Sequence, residues 1–317
     1  MTSSVRIFLF AISLCANLLQ HSAIVAQQLD AKLSNGVLEF GVSKSFGGAI
    51  THLRYAGAGG VNLINNKDKG RCIQQSYYAG QMVKRPAQSA GFSPWSWNPI
   101  QAGAIGGAAS PVKALQVQNN NSTIATTTTP LLWDMMTNEA AKALMYQATT
   151  FEAGMPEVAR VDCSIVCNRD TTDVWGAAVL RDQELPAAYF TASMSKMVSY
   201  TGSQPFQSKP TSVVSLLGGN PWKRIYPTEA WVACMQPMGD FGVAIYSPAA
   251  NLGWNAGLWT GNGSTGVFGD STVHMAPIKG LALTRKGTFA YRYWLIIGNL
   301  NTIRGWVYQL KQRYPNG

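Results

Sequence analysis

Ionisable groups are scarce in this chain of 317 residues. Charged residues make up 13% of it, histidine occurs three times and cysteine five times. No run of Lys and Arg exceeds two residues, so a dedicated nucleic-acid patch has no support and no nucleic-acid partner is expected. The GxSxG, HExxH and P-loop patterns are missing, which removes the commonest sequence grounds for a serine hydrolase, a zincin or a nucleotide enzyme. Cys163 and Cys167 stand four apart with no histidine nearby, a spacing that fits no common zinc site. No cofactor and no metal is therefore expected. Beyond residue 26 no apolar run is long enough to cross a bilayer, so no membrane span is expected. A βαβ rhythm is absent as well.

Glycine and proline are plentiful, 31 and 15 residues, and aromatics reach 10%. That mixture suits many short strands joined by turns and argues against a disordered chain. Residues 1–26 read as a secretory signal peptide: Arg6, the apolar run IFLFAISLCANLL, then small residues in HSAIVAQQ. This predicts a secreted or periplasmic protein. The remaining residues, 27–317, are expected to form a single domain. The net charge of +10 favours an acidic partner through long-range attraction. Of the cysteines, Cys72, Cys163, Cys167 and Cys234 lie beyond the signal peptide. They leave two disulfides or buried free thiols equally open, although Cys163 and Cys167 sit too far apart along a strand to bond each other.

Strand periodicity runs through GVLEFGVSKSFGGAITHLRYAG, with a turn at Gly47–Gly48, and through the paired arms LMYQATTFE and VARVDCSIVC. AWVACMQPMGDFGVAIYSP reads as another hairpin and FAYRYWLIIGN as a late strand. Helical spacing appears only in NTIRGWVYQLKQRY, predicting a helix over 302–313, with a short helix conceivable around TNEAAKAL. The expected fold class is all-β: a large antiparallel β-sandwich over residues 30–298 carrying a C-terminal helix.

FGGAITHLRYAG followed by VNLINNKDKGR resembles the opening of the galactose-mutarotase-like proteins, β-sandwiches shared by sugar epimerases and by domains of glycoside hydrolases and polysaccharide lyases. PWSWNPIQAG, ELPAAYF and PTEAWVA resemble exported proteins linked to polysaccharide breakdown. The resemblance implies a galactose-mutarotase-like supersandwich and a carbohydrate ligand; the epimerases of that superfamily use a histidine acid and a glutamate base.

Within the chain, GRCIQQSYYAG gathers many neutral hydrogen-bonding groups on one strand. Alternation puts Arg71, Ile73, Gln75 and Tyr77 on one face and Cys72, Gln74, Ser76 and Tyr78 on the other. Amides, phenols and a guanidinium beside aromatic platforms suit a sugar, so Gln74, Gln75, Tyr77, Trp95, Trp97, Asn98 and Gln101 are candidate substrate-binding residues. The candidate catalytic residues are Glu229, His274, Arg71, Tyr78 and Glu184. Hydrolysis would use two carboxylates, Glu229 with Glu184 or with Asp134, burial raising the pKa of Glu229 for acid–base work. β-Elimination of a uronide would use Arg71 to neutralise the sugar carboxylate and Tyr77, Tyr78 or His274 as base. These parts predict a secreted glycoside hydrolase or polysaccharide lyase; a non-catalytic sugar-binding protein and a sugar epimerase are the alternatives. His52, alternating with apolar neighbours in ITHLRY, reads as structural.

Overall fold

Strands alternate their burial along most of the chain, and this alternation builds two large antiparallel sheets. The computed structural model describes residues 28–56, 60–214 and 222–315; the signal-peptide segment lies outside them. One sheet runs, in spatial order, through Ala31–Ser34, Leu38–Val42, Ile50–Tyr55, Ile73–Ser76, Arg181–Thr191, Thr272–Leu281, Trp254–Trp259 and Lys223–Ile225. Two short strands, Pro99–Ile100 and Leu131–Leu132, attach beside Ile73–Ser76 and complete its ten strands. The second sheet has nine strands, with Thr288–Gly298 and Val158–Cys167 near its middle. The predicted hairpin of Ala143–Phe151 and Val158–Cys167 is present, with Ala143 opposite Cys167.

The sheets meet over a shared core that takes Phe40, Ile73, Phe190, Val273 and Met275 from one and Val161, Ile165, Ile245 and Leu295 from the other. The far face of the nine-stranded sheet is covered by the helix Leu300–Arg313. Asn299 caps it by accepting from Thr302 N, and Ile303, Val307 and Leu310 pack on Trp231, Tyr246 and Trp294. The sandwich and its terminal helix thus form as expected, the helix starting two residues early. At the Gly47–Gly48 turn, φ is 58° and 73°, and a Cβ on Gly47 would lie 1.8 Å from Gln101 O, so glycine is required there.

Two local expectations fail. TNEAAKAL is not helical: Leu132 N donates to Glu139 O and Ala141 N to Pro130 O, so cross-chain partners take the segment, and Lys142 has a left-handed φ of 51°. The stretch from Lys67 to Gly80 is not one strand either. Only Ile73–Ser76 is extended and paired before the next strand, Ala79–Val83, and Cys72 and Gly80 each turn the chain with φ of 67°. The four cysteines are free and buried.

Candidate active site

The outer face of the ten-stranded sheet, opposite the core, carries the chemistry. On Arg181–Thr191 the register against Thr272–Leu281 shifts between Glu184 and Ala188. This bulge keeps both Glu184 and Tyr189 outward while Leu185, Ala188 and Phe190 point into the core. His274, opposite Tyr189, emerges on the same face. Its Nδ1 lies 3.1 Å from Ala188 O. A carbonyl only accepts, so Nδ1 holds a proton and Nε2 is the nitrogen left with a lone pair. Nε2 has no hydrogen-bond partner among the described residues but stands 3.5 Å from Glu184 Oε1. The imidazole is fully buried, against the rings of Tyr189 at 4.4 Å and Trp222 at 4.5 Å.

Glu184 is the partly open member of the pair, its side chain 14% exposed. Its Oε2 receives the Tyr78 hydroxyl at 3.4 Å. Gln183 clamps the backbone of Tyr78 from both sides, accepting from its N and donating to its O at 2.8 Å each. Burial, with the neighbouring Glu184 charge adding to it, pushes the Tyr78 phenol far up, and the same causes act on Tyr189. Both phenols are therefore donors near neutral pH, and Tyr78 does not serve as the base that an elimination by tyrosinate would need.

Two cavities flank the pair. One of about 480 Å³ is lined by Glu184, Tyr78, Trp95, Asp182 and Asn255. The other, about 550 Å³, has walls of Tyr189, Trp222, Trp133 and Trp259 and a basic side formed by Lys67, Lys69 and Arg71. Lys67 pairs with Asp270. Lys69 lies 3.9 Å over the Phe46 ring, and burial lowers its pKa. Arg71 borders this cavity, but its guanidinium is largely occupied: it donates to Asp270 O at 2.9 Å and to Gly269 O and Asn65 Oδ1 at 3.3 Å. It also pairs with Asp68 and Asp270 at 3.5 Å. It holds the loop that ends at Asp270 against the sheet.

The other expected site residues lie elsewhere. Glu229 is sealed between the nine-stranded sheet and the helix, on the opposite side of the molecule. It accepts from Arg304, Tyr308, Trp231 Nε1 and Phe206 N. Burial alone would raise its pKa, but these donors, Arg304 foremost, lower it, so it is a structural ion and not an acid–base group. Asp134 is buried against Arg85 and Gln88. Gln74, Gln75, Tyr77, Asn98 and Gln101 are buried as well. Gln74 bonds Arg71 O and Ala102 N, Gln75 bonds Tyr146 O, Tyr77 donates to Gln75, and Gln101 accepts from Gln75 N. Asn98 donates to Tyr77 O and accepts from Trp95 Nε1. The strand Ile73–Ser76 is short and its neighbours irregular, so side-chain amides satisfy backbone groups that a regular ladder would pair. None of these five lines either cavity beside Glu184 and His274. Trp97 is core, 1% exposed, donating to Ala141 O, and of the expected platform only Trp95 borders a cavity beside Glu184; Trp97 lines a separate cavity with Arg169 and Trp175. Tyr189, Trp222 and Trp259 were not singled out from sequence. Strict alternation from Glu184 misplaces Tyr189 because of the bulge, whereas the tryptophans were legible as unassigned aromatics.

No family model matches the chain, and no curated protein matches it. Among solved structures, the chain is similar to a candidate aldose 1-epimerase from Escherichia coli K12. The identity is 10%, the TM-score 0.51, and the match covers 85% of this chain and 98% of that one. A galactose mutarotase related enzyme from Lactobacillus acidophilus matches at 10% identity and TM-score 0.48, over 85% and 97%. An aldose epimerase homologue from C. elegans matches at 9% and 0.48, over 86% and 99%. The fold is that of the galactose-mutarotase-like β-sandwiches.

Proposed function

We propose that the protein is an exported carbohydrate-active enzyme whose reaction is a proton transfer at a sugar oxygen by Glu184, with His274 behind it. The contact of 3.5 Å between these two side chains carries the reading. The sugar occupies the cavity bordered by Trp95, Tyr78 and Glu184, its ring against Trp95. Glu184 removes the proton of the anomeric hydroxyl, and the neutral Tyr78 phenol donates toward the ring oxygen. The phenol proton passes to that oxygen as its bond to the anomeric carbon breaks, leaving a free aldehyde. After rotation about the adjacent carbon–carbon bond, the ring hydroxyl returns its proton to Tyr78 and attacks the other face of the carbonyl. The carbonyl oxygen takes back the proton held by Glu184, giving the other anomer. His274 Nε2, 3.5 Å from Glu184 Oε1, shares that proton while the ring is open, before it returns to the sugar. The signal-peptide pattern of residues 1–26 supports action outside the cytoplasm.

Hydrolysis by two carboxylates has less support, because Glu229 and Asp134 are locked to arginines elsewhere and Asp182 is bound to Arg224 at 2.7 Å. Elimination from an acidic sugar is the second reading, favoured by the basic side of the adjoining cavity. One experiment separates them: the secreted protein is incubated with free aldoses and with neutral and uronate-containing glycans. Anomer exchange is followed by NMR, cleavage by reducing ends, and elimination by absorbance of unsaturated uronates. Accelerated anomer exchange that disappears in Glu184→Gln is expected. Unsaturated products would select the second reading, and full activity in Glu184→Gln would defeat both.

A further inference from the structure

We infer that a separate cavity, enclosed by Arg85, Arg169 and Trp175, binds a carboxylate-bearing ligand. It measures about 290 Å³ and shares no lining residue with the two cavities beside Glu184 and His274. That size suits one small acid or one sugar-acid unit.

Three of the side chains that line it each hold a buried donor with no acceptor among the described residues. The Arg169 side chain is 1% exposed; its Nε and Nη2 donate to Asp173 at 2.8 Å, and Nη1 has no partner among the described residues. Arg85 uses Nη1 on Glu139 at 2.7 Å and Nη2 on Asp134 at 2.8 Å, leaving Nε. Trp175 is 8% exposed and its indole Nε1 is likewise unpaired. The two guanidinium groups face the Trp175 ring at 4.6 and 5.7 Å, which brings the three side chains together. A buried donor left unpaired is costly, and three around one cavity call for an oxygen acceptor.

The charges narrow the choice. Arg169 faces Asp173, Arg85 faces Asp134 and Glu139, and Lys142 at the rim faces Asp170. Arg285 also approaches Asp173 at 3.6 Å, so four cations face four acids, and a dianion such as phosphate would be repelled by Asp173 and Glu139. A single carboxylate brings two acceptor oxygens and one charge, and its planar geometry matches a guanidinium edge.

The test uses the ¹⁵N-labelled protein and its indole N–H signals, with Trp175→Phe assigning the Trp175 signal. Sodium acetate, galacturonate and neutral galactose are titrated at constant ionic strength. Saturable movement of the Trp175 signal with acetate or galacturonate, and none with galactose, is expected. Tighter binding of galacturonate than of acetate identifies a sugar acid as the ligand, and equal binding a free small carboxylate. Arg169→Gln should weaken binding about tenfold or more. If that variant does not fold, calorimetry of galacturonate with Trp175→Phe must show the weakening instead. No saturable movement with either acid, or an equal response to galactose, overturns the inference.

Discussion

Two histidine–glutamate contacts stand on the outer face of the same sheet, and they differ in how much bonding capacity remains free. At one, Glu39 accepts from His52 Nε2 and Arg54 Nε at 2.7 Å and meets Lys32 at 3.2 Å. At the other, Glu184 has Tyr78 at 3.4 Å and His274 at 3.5 Å, and His274 Nε2 has no hydrogen-bond partner among the described residues. Open space does not separate them, since a cavity of about 850 Å³ borders His52. Saturation does. A carboxylate fixed by two cations and an imidazole N–H has no lone pair to offer a substrate, whereas one with two long contacts can still take a proton. Glu229, under the helix, extends the lesson to the other sheet: with donors from four residues it is the most saturated of the three.

The largest effect should follow from cutting into the unsaturated pair. Glu184→Gln keeps the size of the side chain and should lower turnover about 10²- to 10⁴-fold with the melting temperature little changed. His274→Gln, whose amide can still donate to Ala188 O, should fall in the same range. The matching change His52→Gln should leave turnover near wild type. If His52→Gln and His274→Gln lose activity equally, the contrast between the two pairs is wrong.

Next in size is Glu229. Removing it strands Arg304, Tyr308 and the Trp231 indole at the helix interface, and breaking a buried pair costs about 3–5 kcal/mol. Glu229→Ala should show that loss in denaturant unfolding, while the turnover of the folded fraction stays normal. Lost turnover without lost stability would return Glu229 to the list of catalytic groups.

Sheet-forming periodicity was legible because each strand has one face in the core, as Val158–Cys167 shows by its alternating burial. The helix was legible from Ile303 and Leu310 at helical spacing. The site was harder to read. Glu184, His274 and Tyr78 were identified as residue types, but the bulge that brings them together depends on pairing between segments some ninety residues apart, which no local pattern encodes. GRCIQQSYYAG misled for a related reason. Neutral polar side chains suit a sugar site and equally suit the repair of an irregular ladder, and only the partners of Gln74, Gln75 and Gln101 tell the two apart.

A smaller effect should divide Trp97 from Trp95. Trp97→Phe keeps most of the buried ring but leaves Ala141 O without its donor, so about 1–3 kcal/mol of stability should go, with ligand affinity unchanged. Trp95→Ala should instead weaken sugar binding by about 0.5–1.5 kcal/mol of stacking beyond the lost contact area. Calorimetry with a neutral sugar and denaturant unfolding on both variants check this, and an effect on the neutral sugar at Trp97 would move its site away from Trp95.

The smallest effect is one of pH, and it belongs to the saturated pair. Burial pushes the Glu39 carboxyl upward, but Arg54, His52 and Lys32 outweigh it and hold the carboxyl at about 2, against 4.5 for an ordinary glutamate. The folded state therefore binds fewer protons than the unfolded chain between those values. The stability that Glu39 contributes is complete above about pH 4.5 and is lost as the pH falls toward 2. His52 acts in the same direction at higher pH. Burial lowers its pKa below 6.5, the charges of Arg54 and Lys32 adding to this against the pull of Glu39. Acidification below 6.5 thus protonates the unfolded chain first and favours unfolding. One proton per group limits each slope to about 1.4 kcal/mol per pH unit. In Glu39→Gln the lower step should vanish from the curve of unfolding free energy against pH. Because that variant also strands Arg54 and Lys32, the shape of the curve is diagnostic and its height is not. A lower step that survives the substitution would mean that Glu39 is less tightly held than its three contacts imply, and the contrast with Glu184 would shrink accordingly.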